Sequence, residues 1–276
     1  MIVCKELDKT FLSKQEMFKA LKENKANIID MKKSQILKSC DKNAGVKVYS
    51  ITPKTIGDNN KNLELDDNFY YIATNTTKIL DSHSDVHLNG IWSKTVKEQQ
   101  GNNYLVLDHE LKVSSTAVRK EDIEMFVAEI PFSMVGKSHE GTTEALIYKF
   151  SKNKVINETA KEWLESGNDI EASVRMQYVK MDLAMNSDAK EDEEEKKTFD
   201  KYISVIANKE DFDEIDYFWA IHEAKNVRES SLVLAGSNPA TGAMNNTEPS
   251  KDTQQKEEAD TSVTSLDTFY KHLKIH

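Results

Sequence analysis

The chain has 276 residues and carries 47 acidic against 37 basic side chains, which gives a formal net charge of −10 at pH 7. A chain this acidic is not expected to coat DNA or RNA, because neutralising phosphates requires clustered lysine and arginine. No apolar stretch approaches the roughly 18 residues that a membrane-spanning helix needs. The charged residues Lys5 and Glu6 come too early in the chain for the apolar region of a signal peptide. The two cysteines, Cys4 and Cys40, are too few for a disulfide framework. We therefore expect a soluble intracellular protein that buries a sizeable core without metal or disulfides.

The first segment, residues 1–45, is rich in lysine and is predicted to be helical. Ser13 and Glu16 have the spacing of a capping box ahead of the apolar Met17 and Phe18. In that motif the serine hydroxyl accepts a hydrogen bond from a free N–H group of the first helical turn, and the glutamate accepts one in return. A helix is therefore expected to begin directly after Ser13.

The second segment, residues 46–240, alternates between short strands and helical stretches. A helix is predicted over Val155–Ser166, because its apolar residues Ile156, Ala160, Trp163 and Leu164 follow helical spacing, and it is expected to end at Gly167. The strands that alternation or β-branched and aromatic content predicts are Val46–Ile51, Phe69–Thr74, Tyr104–Leu107, Ile123–Ile130, Ala145–Phe150, Ile170–Leu183, Tyr202–Ile206, Tyr217–Ala224 and Ser231–Leu234. Since most of them are short and separated by turns, we predict an α+β fold, mainly β, in which an antiparallel barrel or sandwich with flanking helices is favoured over a doubly wound sheet.

Two stretches have compositions typical of solvated, unstructured chain. The acidic run at residues 188–197, inside a loop over residues 186–200, is predicted to be disordered because charged side chains dominate it. Residues 241–264 are predicted to be a disordered linker, because Asn, Thr, Gln, Ser, Lys and Glu leave little apolar surface to bury.

The last segment, residues 265–276, is predicted to be an amphipathic tail helix. Its apolar side chains follow the i, i+3, i+4, i+7 spacing of one helical face: Leu266, Phe269, Tyr270 and Leu273. A helix of about ten residues is marginal alone. It is therefore expected to dock, either on a partner protein or on its own domain, and the sequence leaves both open.

The strand at Ile170–Tyr178 presents a serine on a polar face. Because side chains alternate along a strand, Glu171, Ser173 and Arg175 share one face while the apolar residues between them point to the other. Ser173 is a candidate nucleophile, and the alternative is an ordinary solvent-facing serine.

A histidine follows another predicted strand. Tyr104–Leu107 leads into Asp108, His109 and Glu110. Histidine titrates close to neutrality and can therefore accept the proton of a serine hydroxyl, which is a weak nucleophile until a base does so. His109 is a candidate general base, and the alternative is a surface histidine at a strand end.

A second reading of the histidines is a metal site. His83 and His87 flank Asp85, and together with His109 they are residue types that zinc accepts as ligands. The segment has little helical periodicity, however, so this spacing also fits a plain polar turn. A metal-dependent hydrolase is retained as a weaker alternative.

Acidic residues further along the chain could orient a histidine. In a catalytic triad, the acid orients the histidine by accepting a hydrogen bond from its ring. Glu223 and Glu229 are the candidates for this role. Structural ion pairing is the other fate of such residues. Loops that bind nucleotide phosphates are absent from the sequence, and no cofactor is expected.

Taken in order, these motifs resemble those of the tailed-phage prohead maturation proteases, serine proteases related to the herpesvirus assemblins. The resemblance covers roughly residues 70–242. The matching pieces, in chain order, are the turn and aromatic segment Asp85–Thr95, the strand end Leu107–His109, the helix end Trp163–Gly167, the strand piece Ala172–Val174, the strand Glu229–Val233 and the turn Asn238–Pro239. Arg175 stands where the family often has glycine, and Asn89 where proline is common.

The resemblance implies a serine endopeptidase on the antiparallel, barrel-like herpesvirus-protease fold with flanking helices. It assigns Ser173 as the nucleophile, His109 as the general base and Glu229 as the third member, with Glu223 in reserve and His222 as an alternative. It also implies cleavage of the major capsid protein, the scaffold and the chain itself inside the assembling prohead in the host cell cytoplasm. A homodimer is compatible with it, whereas nucleic acid, membranes and metals have no part. A non-catalytic scaffolding or assembly protein on the same fold is the competing expectation.

Overall fold

The computed structural model describes residues 1–36, 65–167, 170–234 and 242–243. Within these ranges the protein is mixed α and β, with more strand than helix. The predicted strand Val46–Ile51 and the predicted tail helix at residues 265–276 lie outside the described residues, as does most of the predicted linker. Among the described residues, no helix is both long and apolar enough to cross a bilayer.

The helices and strands are numbered here in chain order. The α-helices are α1 (Lys14–Glu23), α2 (Lys25–Ser34), α3 (Ser93–Gln99), α4 (Glu158–Ser166) and α5 (Glu193–Tyr202). The strands are β1 (Ile2–Cys4), β2 (Lys9–Phe11), β3 (Phe69–Thr76), β4 (Asp85–His87), β5 (Tyr104–Leu107), β6 (Thr116–Val118), β7 (Glu124–Pro131), β8 (Thr142–Ser151), β9 (Glu171–Met185), β10 (Tyr217–Val233) and β11 (Gly242–Ala243). Short 3-10 helices lie at Val113–Ser115, Lys120–Asp122, Phe132–Val135, Lys152–Lys154, Lys190–Asp192, Ile203–Val205 and Lys209–Asp211.

The N-terminal segment is only partly helical. The prediction of helix was wrong for its first residues, because β1 and β2 form an antiparallel hairpin whose Glu6 accepts hydrogen bonds from Tyr217 and Trp219. The helix start was predicted correctly: the Ser13 hydroxyl accepts from the N–H of Glu16 at 3.2 Å. The Glu16 carboxylate accepts in turn from the N–H of Leu12 rather than that of Ser13.

One long strand organises the first sheet. β10 pairs antiparallel with β9 over most of its length, and the two pieces Tyr217–Ala224 and Ser231–Leu234 that the sequence predicts separately belong to this one strand as far as Val233. Opposite β9, β10 pairs in parallel first with β4 and then with β5, and β6 extends the sheet from β5. The predicted all-antiparallel arrangement is therefore wrong at these two parallel pairs.

The second sheet has the order β11-β3-β8-β7 and is antiparallel. It shares a core with the first sheet, in which Ile72 and Tyr148 from the second pack with Val174, Met176 and Trp219 from the first. The described strands form separate sheets and no closed barrel, in contrast to the predicted barrel-like sheet. β11 also adds two residues of the predicted linker to the edge of β3.

The acidic run was predicted to be a disordered loop, and this was wrong. It forms a short 3-10 turn and helix α5. Phe199 packs into the core on one face of α5, and the buried carboxylate of Glu195 on the same face pairs with Lys25 at 2.6 Å and with Lys22 at 3.3 Å. The buried carboxylate is thus paired with lysines of the N-terminal helices, which avoids the cost of leaving it buried without a partner. The strand predicted at Tyr202–Ile206 is instead the end of α5 and a 3-10 turn.

Candidate active site

The site begins with the turn that follows β5. The N–H of Glu110 donates to the carbonyl of Leu107 at 2.9 Å, and the two residues between them have positive φ, at 51° for Asp108 and 55° for His109. Two left-handed residues inside such a hydrogen-bonded turn are the mark of type I′ geometry. The chain therefore reverses sharply at the end of β5 and carries His109 back over the sheet.

The face of the sheet under His109 carries the other two candidates. Ser173 on β9 is directly opposite Ser231 on β10, so their side chains share a face. Glu229 lies two residues before Ser231 in a stretch of β10 that pairs regularly with β5, so it shares that face too. The alternation of side chains along two adjacent strands thus places a serine and a carboxylate on the same surface.

His109 links the serine to the carboxylate. Its Nε2 lies 2.8 Å from the Ser173 hydroxyl oxygen, and its Nδ1 lies 3.0 and 3.3 Å from the two carboxylate oxygens of Glu229. The carboxylate is an acceptor only, so Nδ1 carries the proton and Nε2 is left free to accept from the serine hydroxyl. This is the hydrogen-bond order of a Ser-His-acid triad.

All three side chains are buried: His109 is 4%, Ser173 3% and Glu229 0% exposed. Ser173 is therefore not the solvent-facing serine of the alternative reading. A buried carboxylate is costly unless it is paired, and His109 supplies that partner.

Sequence reasoning missed one residue of this site, Ser231. Its hydroxyl oxygen accepts the backbone N–H of His109 at 2.8 Å. A signal was present, because Ser231 follows Glu229 with the two-residue period of a strand and must share its face. Local sequence does not show that the turn after β5, which lies far away in the chain, packs against that face.

The reserve candidates for the third member lie elsewhere. Glu223 pairs with the exposed Lys94 at 3.3 Å. His222 has its Nε2 2.9 Å from the Asp182 carboxylate and its ring against Tyr202. Of the acids considered from the sequence, the structure brings only Glu229 to His109.

The histidines proposed as metal ligands are not gathered around one point. His87 is buried, with Nδ1 3.1 Å from the side-chain oxygen of Asn75 and Nε2 3.1 Å from the hydroxyl of Tyr178. Burial lowers the pKa of His87 to about 3, which keeps the ring neutral. His83 has a half-exposed side chain, and His109 is held by Glu229 and Ser173. In the part of the chain that the structure describes, no three His, Cys, Asp or Glu residues form a group that could hold a metal.

Two carboxylates sit in the same region of the core as His87. Asp85 accepts from Lys32 of α2 at 2.5 Å and from the hydroxyl of Tyr178 at 2.8 Å. Asp81 accepts from the backbone N–H groups of His83 and Asp85. Burial and the nearby Asp85 carboxylate raise the pKa of Asp81 to about 7. This network fixes α2 to the sheet through the contact between Lys32 and Asp85.

Comparisons of the chain with models of known protein families, with curated proteins and with solved structures found no match. The site therefore rests on its own geometry. That geometry provides a hydroxyl nucleophile, a base within hydrogen-bond distance of it and a carboxylate that fixes the tautomer of the base, which together suit acyl transfer.

Proposed function

We propose that the chain is a serine endopeptidase with Ser173 as nucleophile, His109 as general base and Glu229 as the residue that orients the base. The observation that carries the proposal is the position of the His109 ring, 2.8 Å from Ser173 through one nitrogen and 3.0 Å from Glu229 through the other. A serine, a histidine and an acid joined in this order are recognised by geometry and role rather than by sequence position.

The proposed reaction follows from the tautomer. Nε2 of neutral His109 takes the proton of Ser173 as the serine oxygen attacks a peptide carbonyl, and Glu229 stabilises the imidazolium that forms. The imidazolium then gives its proton to the departing amine, which leaves an acyl group on Ser173. Water, deprotonated by His109, attacks this ester, and the carboxylic acid product and free Ser173 result.

The substrate class is proposed from the resemblance to prohead maturation proteases. Its members would be the scaffold, the major capsid protein and the chain itself, and the herpesvirus-protease fold belongs to the same proposal. What supports it is the order His109, Ser173, Glu229 along the chain, which is that of the matched motifs. The described residues have more strand than helix, which is compatible with an α+β fold.

Labelling with a serine-reactive fluorophosphonate tests the chemistry. Wild type is expected to be labelled at Ser173, and both Ser173→Ala and His109→Ala are expected to lose the label. Ser230→Ala is the matched control, because Ser230 is equally buried, lies on the same sheet and bonds to Asn226 rather than to His109. Labelling that survives in Ser173→Ala, or that maps to another serine, contradicts the assignment.

Self-cleavage is tested separately by intact-mass spectrometry. Wild type is expected to lose its C-terminal tail through cleavage between about residues 240 and 262, where an accessible tether is predicted, and Ser173→Ala is expected to stay full length. Equal full-length masses for both proteins would contradict self-cleavage.

A second candidate function is a non-catalytic assembly protein. The observation that favours it is burial, since His109 and Ser173 expose only 4% and 3% of their surface. A fully satisfied buried network of this kind can also serve to specify the fold. An absence of labelling in the free protein and under every assembly condition would support this second candidate.

A further inference from the structure

We propose that Ser231 is a positioning residue that holds His109 in its working orientation through the backbone. The proposal rests on the proposed function for its catalytic consequence. It adds a fourth side chain to the site, one that touches neither the substrate nor the reacting atoms.

The backbone of His109 needs such support. Asp108 and His109 both have positive φ, and neither is glycine. L-residues with a side chain disfavour this region, and they persist there only when the surrounding structure holds them. The turn that brings His109 over the sheet is therefore a conformation that neighbouring groups must maintain.

Among the described residues, the backbone N–H groups of this turn donate to two backbone carbonyls and to one side chain. The N–H of Asp108 donates to the carbonyl of Leu232 at 3.0 Å, and the N–H of Glu110 closes the turn onto Leu107. Between them, the N–H of His109 donates to the hydroxyl oxygen of Ser231 at 2.8 Å. Because the first two acceptors are backbone carbonyls, Ser231 is the residue of this set at which a substitution can release the backbone of His109.

The hydroxyl of Ser231 is committed to this role. Its oxygen lies 3.1 Å from the carbonyl of Val106 and 3.2 Å from that of Leu232, so its proton goes to one of them. The oxygen is then left as an acceptor for His109 N–H. This arrangement also separates the two serines that face each other across β9 and β10: Ser173 bonds to the ring of His109, whereas Ser231 bonds to its backbone.

Loss of the hydroxyl would leave the buried N–H of His109 without an acceptor. A buried N–H is strongly driven to find a new partner, so the turn is expected to shift and the ring of His109 with it. Misplacement of a catalytic group by about 1 Å can reduce a rate by about a hundredfold. We expect Ser231→Ala to react with the fluorophosphonate about ten to a hundred times more slowly than wild type, and Ser231→Thr, which keeps the hydroxyl, to recover most of that loss.

The matched control is Ser230→Ala. Ser230 is the neighbouring buried serine on the same strand; it faces the other side of the strand and accepts a hydrogen bond from Asn226. Both alanine variants lose one buried hydroxyl, so a general loss of stability would slow them alike, whereas a positioning role slows only Ser231→Ala. Where Ser231→Ala does not fold, Ser231→Cys takes its place, because a thiol fills similar space but accepts hydrogen bonds weakly.

The second readout is the imidazole of His109, followed by ¹H–¹⁵N NMR across a pH titration. The chemical shift of the Nδ1–H signal is expected to change in Ser231→Ala and to stay as in wild type in Ser230→Ala. This readout does not require activity. If wild type is not labelled at all, the proposed function fails while the NMR comparison still decides the role of Ser231. A Ser231→Ala protein with wild-type signals from His109 overturns the inference, whatever its rate of labelling.

Discussion

Replacement of Glu229 by glutamine is the sharpest test of the proposed triad, because it removes one charge and almost no volume. Glu229 is fully buried and contacts Nδ1 of His109 at 3.0 Å. Its charge has little to act on while the ring is neutral. Once His109 takes the proton of Ser173, the carboxylate faces an imidazolium, and the attraction stabilises the transition state.

The size of the effect follows from that distance. At an effective dielectric constant of about 20, two unit charges separated by the 3.0 Å between Nδ1 and Oε1 attract by about 5.5 kcal/mol. This is an upper figure, because both charges are shared between two atoms. Since 1.36 kcal/mol corresponds to tenfold in rate, the figure sets a ceiling of about 10⁴-fold. The acid-to-amide change in a Ser-His-Asp triad reduces kcat by about the same factor.

We therefore expect Glu229→Gln to react with a fluorophosphonate about 10³ to 10⁴ times more slowly than wild type. Glu223→Gln is the matched control, because Glu223 lies on the same strand but pairs with Lys94, and its rate is expected to stay close to that of wild type. Urea unfolding of both variants checks that each is folded. A Glu229→Gln protein that reacts within tenfold of the wild-type rate would refute the reasoning and remove Glu229 from the triad.

Two further predictions concern stability. The raised pKa of Asp81, about 7 against an ordinary 3.8, means that the folded protein binds more protons than the unfolded chain between these values. The free energy of unfolding should therefore fall as pH rises from about 4 to about 7, by at most about 1.4 kcal/mol per pH unit. Urea titrations at pH 5 and pH 7 should show this decline in wild type and a smaller decline in Asp81→Asn. An equal decline in both proteins would contradict the prediction. Glu195→Gln should lower the free energy of unfolding by about 1 to 2 kcal/mol, because it leaves Lys25 without its buried carboxylate partner. The control is Glu193→Gln at an exposed position of the same helix, which should change the free energy of unfolding by less than about 0.5 kcal/mol. Identical urea midpoints for the two variants would argue against a docked helix.

The sequence predicted strands better than it predicted their pairing. Tyr104–Leu107 begins and ends where predicted, because a run of apolar residues between polar turns is a local signal. The parallel pairing of this strand with β10 is not local, since it joins residues more than a hundred positions apart. An antiparallel barrel or sandwich was inferred from short strands separated by turns, and the barrel-like form from the family resemblance; neither determines which strand edges meet.

The acidic run at residues 188–197 is a second case in which local sequence did not predict the structure. Its composition is that of a solvated loop, and a reading of charge density alone leads to disorder. Asp192, Glu195 and Phe199 nevertheless have the spacing of one helical face, and that face is buried. The charges on it are tolerated because Lys22 and Lys25 approach from helices near the start of the chain. Only the folded structure brings these partners together.

The candidate site was predictable to the extent that it depends on strand alternation. Ser173 was singled out because it lies on the polar face of a strand, and Glu229 came from a matched motif on another strand. The register of β9 against β10 then places both on the same face. The orientation of His109 depends on a different kind of information, namely two consecutive left-handed residues that have no glycine to announce them. Asp and His adopt positive φ more often than most residues with a side chain, but their sequence does not predict two such residues in succession. The turn persists because Ser231 and two backbone carbonyls accept its N–H groups. Positive φ occurs at other non-glycine residues of the described chain as well, such as Lys78 and Ser84. At Asp108 and His109 it coincides with the proposed chemistry, and unusual backbone conformations of this kind cluster at functional sites.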